Sequence, residues 1–350
     1  MEPSTLSIVV VVELLDQNQA QDQTQGQEQE QDAHAPTAPA PQVVLKVYDR
    51  QFAPELREFK GKTGTATHES EAQYRAFLRR PGDLSRFLAD HGEHGQWAYE
   101  TDEEWTTPRR EAYFHAESAK MHKCELQVYG RLVELQGVHV PTLLADVRLA
   151  SQGPRRMIGL EEEEGESVDY TELRAILLEY IPGFPLHDLV TETPESDWAA
   201  IGDQAIEAVR KIIDHDFINF DYMPRNTLVV RRQNRAGGGG NNSDNNEHSS
   251  PPSSSSSASS SSSYQVFYLD FAQCRFRDPS SESDEVWRET KRQRDEEGAV
   301  GYLLEGRIAF VKGKKGKKYK GPLPLPWMYT PSGRFDGEYI ELWENAEPVG

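Results

Sequence analysis

Phe217-Ile218-Asn219-Phe220-Asp221-Tyr222-Met223-Pro224-Arg225-Asn226-Thr227-Leu228-Val229-Val230 is the stretch on which the reading of this 350-residue chain turns. An acid, Asp221, stands five residues before a carboxamide, Asn226, and Pro224 stiffens the turn between them. The β-branched run Thr227 to Val230 reads as a strand. Helix-like sequence precedes the stretch, so the acid and the amide sit on a loop between a helix and a strand. A second strand, Gln265-Val266-Phe267-Tyr268-Leu269, ends in Asp270 followed by Phe271.

Asn226 and Asp270 are 44 residues apart, but 28 of those positions, Ala236 to Ser263, are Gly, Asn, Ser and Pro almost throughout. What remains suffices for two strands of about five residues and a short turn. A longer flexible loop closes at a cost of only about 0.6 kcal/mol per doubling. Thr227–Val230 and Val266–Leu269 are therefore expected to pair as a hairpin. Asp270 ends an apolar strand, where a charge needs a cation or a hydrogen-bond donor. With Asn226 it offers oxygen ligands of the kind that suit Mg²⁺, which keeps its other positions for water and phosphate.

Asp-x-x-x-x-Asn, a strand, a return strand and Asp-Phe resemble the catalytic core of the protein-kinase-like phosphotransferases, including aminoglycoside and choline kinases. The resemblance implies an α+β, two-lobed fold with a reduced N-lobe and a mostly helical C-lobe. It implies that Asp221 orients an acceptor hydroxyl and takes its proton. Asn226 and Asp270 would hold Mg²⁺ against the phosphates of ATP. The cofactors implied are ATP and Mg²⁺, and the acceptor is a hydroxyl of a protein or a small molecule.

The rest of the chain follows the order that this resemblance requires. Val43-Val44-Leu45-Lys46-Val47-Tyr48-Asp49 is a strand with a lysine inside an apolar run. Such a lysine is either an edge residue facing solvent or, by the resemblance, the group that holds the ATP phosphates. From Pro108 to Leu135 apolar residues recur at three- and four-residue steps, as on a helix. Glu125 borders that apolar face and is the expected partner of Lys46, with Glu117 as its rival. Ala175 to Ile181 reads as a buried strand ending at Pro182-Gly183. The resemblance makes Glu179, Tyr180 and Ile181 the hinge whose backbone binds adenine. Thr193 is expected to cap a helix whose stripe is Trp198, Ile201, Ala205, Val209, Ile212 and Ile213. That helix delivers the chain into the Asp221 loop.

Several positions depart from the family pattern. Asn219 stands where His is usual, and Met223 where protein Ser/Thr kinases carry Lys. Arg225 is the candidate to supply that charge. Ala272 replaces a glycine, and alanine takes a positive φ only at a cost. No Gly-x-Gly-x-x-Gly precedes Lys46, and no Ala-Pro-Glu follows Asp270. These absences fit atypical kinases and the small-molecule phosphotransferases that resemble aminoglycoside and choline kinases, and they leave a second reading, a catalytically inactive pseudokinase that binds nucleotide or other proteins.

The expected organisation has three parts. Residues 1–42 hold a β-branched segment, a Gln-rich low-complexity tract and an Ala/Pro linker. Residues 43–181 form the N-lobe with an insertion at 51–107, in which Ala72 to Arg80 and Asp83 to Asp90 read as helices. Residues 182–350 form the C-lobe with the Gly/Ser insert at 236–263. Glu161 to Glu166 reads as a solvated acidic loop, and Asp284 to Leu304 as a helix. Lys312, Lys314, Lys315, Lys317, Lys318 and Lys320 form a basic run, read as a solvated loop or a nuclear-import patch. The segment from Phe335 to Trp343 is expected to pack back on the large lobe. The net charge of −20 repels nucleic acid and anionic membrane as a whole. Leu6 to Leu15 is too short to span a bilayer. The two cysteines, Cys124 and Cys274, lie in no metal-binding spacing, which fits a reducing, intracellular setting.

Overall fold

The computed structural model describes residues 7–14, 41–59, 62–80, 82, 84, 86–87, 105–149, 172–232, 263–315 and 325–336. Its first half is built on strands β1 (Ile8–Glu13) and β2 (Gln42–Tyr48), helices α1 (His68–Leu78) and α2 (Thr107–Arg131), and strands β3 (Leu143–Leu149) and β4 (Leu173–Glu179). The strands form one antiparallel sheet in the order β1-β2-β4-β3. β-branched residues fill β1 because their restricted χ1 suits an extended backbone. Val9 faces Lys46 and Val11 faces Val44 in the β1–β2 register, so the segment set apart from the domain by low-complexity sequence shares its sheet. β2 is central, which places Lys46 opposite Ile176 of β4 and buries it. An edge-strand lysine facing solvent is thereby excluded.

Helix α2 packs behind this sheet. Its buried positions include Tyr113, Cys124, Glu125, Val128 and Tyr129. The regular helix ends at Arg131 rather than Leu135, and the chain tightens into a 3₁₀ turn at Val133–Leu135. Helix α1 begins at His68, four residues before the expected start. The Thr67 hydroxyl accepts from Ser70 N while Ser70 Oγ accepts from Thr67 N, a capping box that extends the helix backwards. Tyr74, Phe77, Phe87, Trp105, Tyr113 and Phe114 join α1 to the start of α2 in a second small core. Arg50 and Arg57 both bind the buried Glu111 carboxylate beneath it. The helix expected from Asp83 to Asp90, the Glu161–Glu166 loop and the 236–263 insert lie wholly or largely outside the described residues, except that Ser263 belongs to a strand rather than to the insert.

The second half contains α3 (Trp198–Ile213), β5 (Phe217–Asn219), β6 (Thr227–Arg232), β7 (Ser263–Tyr268), β8 (Cys274–Phe276), α4 (Asp284–Arg294) and α5 (Glu296–Lys315). Trp198, Ile201, Ala205, Val209, Ile212 and Ile213 are all buried on α3, as a stripe of that period requires. Thr193 does not cap this helix. Its hydroxyl donates to Leu189 O at the end of the preceding helical turn, and a 3₁₀ turn at Glu195–Asp197 leads into α3 instead. The helix expected across Asp284 to Leu304 is broken. Asp295 takes a left-handed backbone, φ 41°, between α4 and α5, a conformation that aspartate tolerates better than most residues. β6 and β7 pair antiparallel with Thr227 opposite Tyr268 and Val230 opposite Gln265, which is the expected hairpin. Phe335 packs against the main core, and Lys312 pairs with Glu195. The chain beyond 336 and most of the basic run lie outside the described residues. Among the described residues no helix is long and apolar enough to cross a membrane.

Candidate functional site

Two elements from opposite halves of the chain meet at Lys46. Its ammonium donates to Glu125 Oε2 at 2.6 Å and to Asp270 Oδ1 at 2.8 Å. Glu117 pairs instead with Lys120 of its own helix, so Glu125 is the helix carboxylate at the site. Lys46 and Glu125 are 5% and 0% exposed, which leaves water no role in separating the charges. Burial pulls the Lys46 ammonium down, but the charges of Asp270 and Glu125 hold it above the ordinary lysine range. Burial likewise pushes the Glu125 carboxyl up, against the pull of Lys46. With two carboxylates around one ammonium, the proton stays on the lysine. Asp270 is pushed up by burial yet ends below the usual carboxylate range, because Lys46 faces it directly.

Tyr48 belongs to the same site. It lies two residues after Lys46, on the same face of β2, and its hydroxyl donates to the same Glu125 oxygen. The strand period carries this signal in the sequence, and an attack on motifs alone passes over it. Glu125 Oε1 has no hydrogen-bond partner among the described residues.

The loop after β5 supplies the second group. Asp221 accepts from Asn226 Nδ2 at 2.8 Å and from Arg225 Nη2 at 3.0 Å. Pro224–Asn226 form a single 3₁₀ turn, which folds Asn226 back onto Asp221. The Asn226 amide also donates to the Asp221 carbonyl at 3.1 Å. With both amide hydrogens on Asp221, the amide orientation is set and its oxygen is left to act as a ligand. Burial raises the Asp221 carboxyl above its ordinary value, opposed by the Arg225 charge.

Asn219 joins the two acids. Its side-chain oxygen accepts from Asp221 N at 2.9 Å, and its amide nitrogen donates to the Asp270 carbonyl at 3.3 Å. Asn219 thus has a bonding role of its own between the two acids. Asp270 itself carries φ 63°, a left-handed backbone that turns the chain sharply after the hairpin. Ala272 is not at a positive φ, so the alanine there is unstrained; its N–H points at Asp270 Oδ1, 3.4 Å away.

Lys291 and Glu296, which sequence reasoning missed, secure the loop from beneath. The buried Lys291 ammonium donates to the carbonyls of Ile213 and Phe217 at 2.6 Å each and of His215 at 3.3 Å. Glu296 accepts from Asn219 N at 2.8 Å. The break at Asp295 brings these residues together from two helices, and no local spacing announces it.

At the end of β4, Glu179 N donates to Thr142 O and the Ile181 carbonyl accepts from Gly183 N. The Glu179 carboxylate binds Thr142 N and Oγ1. Those groups are committed within the fold, while Tyr180, just past the end of β4, is exposed.

Among the described residues no group of three or more His, Cys, Asp or Glu side chains is placed to hold a metal ion. Asn226 and Asp270 are two oxygen donors, a set that fits a hard cation completing its shell with phosphate and water, as Mg²⁺ does.

No protein-family model matches the sequence, and no curated protein matches it. Among solved structures, similarity is found to a Rio2 kinase–ADP/Mg²⁺-phosphoaspartate complex from Chaetomium thermophilum, at 12% identity and a TM-score of 0.36 over 82% of this chain and 53% of that one. WaaP in complex with acyl carrier protein matches at 15% identity and a TM-score of 0.29, over 52% of this chain and 58% of that one. The bifunctional kinase-methyltransferase WbdD matches at 15% identity and a TM-score of 0.24, over 59% and 39% of the two chains. The chain thus spans little more than half the length of the first two and less of the third. The structure itself is a mixed helix-and-strand fold, with a four-stranded antiparallel sheet in its first half, the buried Lys46–Glu125 pair beside it, and a hairpin that joins Asn226 to Asp270 in the more helical second half.

Proposed function

We propose that the chain is an ATP- and Mg²⁺-dependent phosphotransferase that moves the γ-phosphoryl group to a hydroxyl acceptor. One observation carries this reading: Lys46, fixed by Glu125, reaches Asp270, and Asn219 ties Asp270 to the Asp221 loop. Two carboxylates around one buried ammonium leave excess negative charge, which is costly out of water unless a cation balances it. A Mg²⁺ ion carrying a polyphosphate would supply that balance.

In this reading Lys46 binds the nucleotide phosphates. Asn226 and Asp270 hold Mg²⁺, which neutralises charge on the phosphates when bound. Asp221 orients the acceptor hydroxyl and receives its proton. Its burial raises its affinity for that proton, as suits a general base. Arg225 restrains the Asp221 carboxylate and supplies positive charge beside it, in place of the lysine that Met223 replaces. Adenine recognition falls to Tyr180 and the Ile181 N–H, since Glu179 N is bonded to Thr142.

The test is Mg²⁺-ATP binding by thermal shift together with turnover on a panel of hydroxyl acceptors, for wild type, Asp221→Ala and Asp270→Asn. Ligand at 100 times its Kd stabilises the fold by about 2.7 kcal/mol. Turnover in wild type and its loss in Asp221→Ala are expected. Binding without turnover on any acceptor assigns the chain to nucleotide binding alone, which is the pseudokinase reading. Unchanged turnover in Asp221→Ala shows that another group is the base.

A further inference from the structure

The chain has two cysteines, and the fold brings them together. They are 150 positions apart in sequence, yet the Cys124 thiol lies 3.2 Å from the carbonyl oxygen of Cys274 and 3.5 Å from that of Phe271. Cys124 sits on α2, next to Glu125. Cys274 opens β8, four residues after Asp270, and pairs with Asn219 across the β5–β8 ladder. The two side chains also lie close enough to hydrogen-bond each other, the proximity from which a disulfide closes. Both sulfurs are free, Cys124 buried and Cys274 partly exposed.

We propose that Cys124 and Cys274 form a redox-modification site that closes to an intramolecular disulfide under a peroxide. A sulfur attacks one peroxide oxygen, the O–O bond breaks, and water leaves as a sulfenic acid forms. The second sulfur then attacks the first, the S–O bond breaks and a second water leaves. The two thiols together lose two protons and two electrons, and hydrogen peroxide is reduced to two waters. The hydrogen bond to Cys274 holds the Cys124 thiol below the ordinary range, against burial, whereas burial pushes Cys274 up. Cys274 is the sulfur that solvent reaches, and Cys124 is the buried sulfur held beside it.

The bond would join α2 to the segment following Asp270. Those elements carry the two carboxylates that grip Lys46. Oxidation would therefore clamp the helix and the segment around that lysine, and dithiol reduction would release them. The site does not depend on phosphoryl transfer, so its test reads separately from that activity.

The full-length chain is treated with hydrogen peroxide, quenched, alkylated at free thiols and digested for mass spectrometry, with thermal unfolding of the same samples. Cys124→Ser and Cys274→Ser serve as controls, and either one suffices if the other does not fold. The expected result is a peptide pair linked through Cys124 and Cys274, reversed by dithiothreitol and absent from the serine variants. The oxidised wild type unfolds at a higher temperature than the reduced form. Full alkylation of both thiols after peroxide overturns the proposal. So does sulfinic acid without a linked pair, a link between two chains, or a linked pair that leaves the unfolding temperature unchanged.

Discussion

The ammonium of Lys46 lies 2.8 Å from Asp270 Oδ1, across 224 positions of sequence. The contact joins the central strand of the sheet to the residue that ends the β6–β7 hairpin. Glu125 grips the same ammonium from α2, so three separate elements converge on one charge. Interactions of this kind stabilise through their geometry and are costly to break singly, because a buried charge is then left without its partner.

Tyr48 shares the Glu125 oxygen with Lys46, and the variant Tyr48→Phe removes only the hydroxyl. A hydrogen bond to a charged group contributes about 1.5–3 kcal/mol. The variant is expected to lose that much unfolding free energy, read as a lower urea midpoint with an unchanged dependence on denaturant. An unaltered midpoint shows that the hydroxyl does not support Glu125.

Asn219→Ala removes both the acceptor for Asp221 N and the donor to the Asp270 carbonyl. Small misplacement of a reacting group costs on the order of 100-fold in rate. In steady-state kinetics kcat is expected to fall by about that factor while the KM for ATP holds, since Lys46 and Asn226 are untouched. A KM that rises with kcat unchanged places Asn219 in nucleotide binding instead.

Glu296 carries a pH signature. Burial, opposed by Lys291 and by the Asn219 N–H, raises its carboxyl from 4.5 to about 7. Between those values the folded protein holds the proton more tightly than the unfolded chain does. The stability this contributes is full below about pH 4.5 and is lost as the pH rises to about 7. Glu296→Gln removes the titration. Its unfolding free energy relative to wild type is expected to rise by about 3 kcal/mol from pH 4 to pH 8. A difference that does not vary with pH contradicts this account of the buried carboxyl.

Much of this arrangement is legible in residue order, for a physical reason. Asp221, Asn226 and Asp270 lie on a loop and a hairpin, where short-range spacing constrains geometry, and removal of the Gly/Ser tract exposes the hairpin. Lys46 and Glu125 are singled out by their place beside apolar runs together with the order the resemblance requires, since a solvent-facing lysine or glutamate fits the same local sequence. Thr193 misleads because several residues near a helix start can cap it, and tertiary packing selected a 3₁₀ turn. Asp295 breaks a helix whose composition is helical throughout, since the left-handed residue lets Lys291 and Glu296 meet beneath Asn219. The carbonyls that Lys291 binds lie more than 70 positions earlier in the chain, at Ile213, His215 and Phe217, so no local spacing announces them.

The most direct measurement is isothermal titration of ATP into wild type and Asp270→Asn, each with Mg²⁺ and with the metal chelated. Wild type is expected to bind ATP at least tenfold more tightly with Mg²⁺, a difference of about 1.4 kcal/mol, and Asp270→Asn to lose that gain. Equal affinity in wild type with and without Mg²⁺, or a gain that survives in Asp270→Asn, contradicts the assignment of Asn226 and Asp270 as the metal-holding pair.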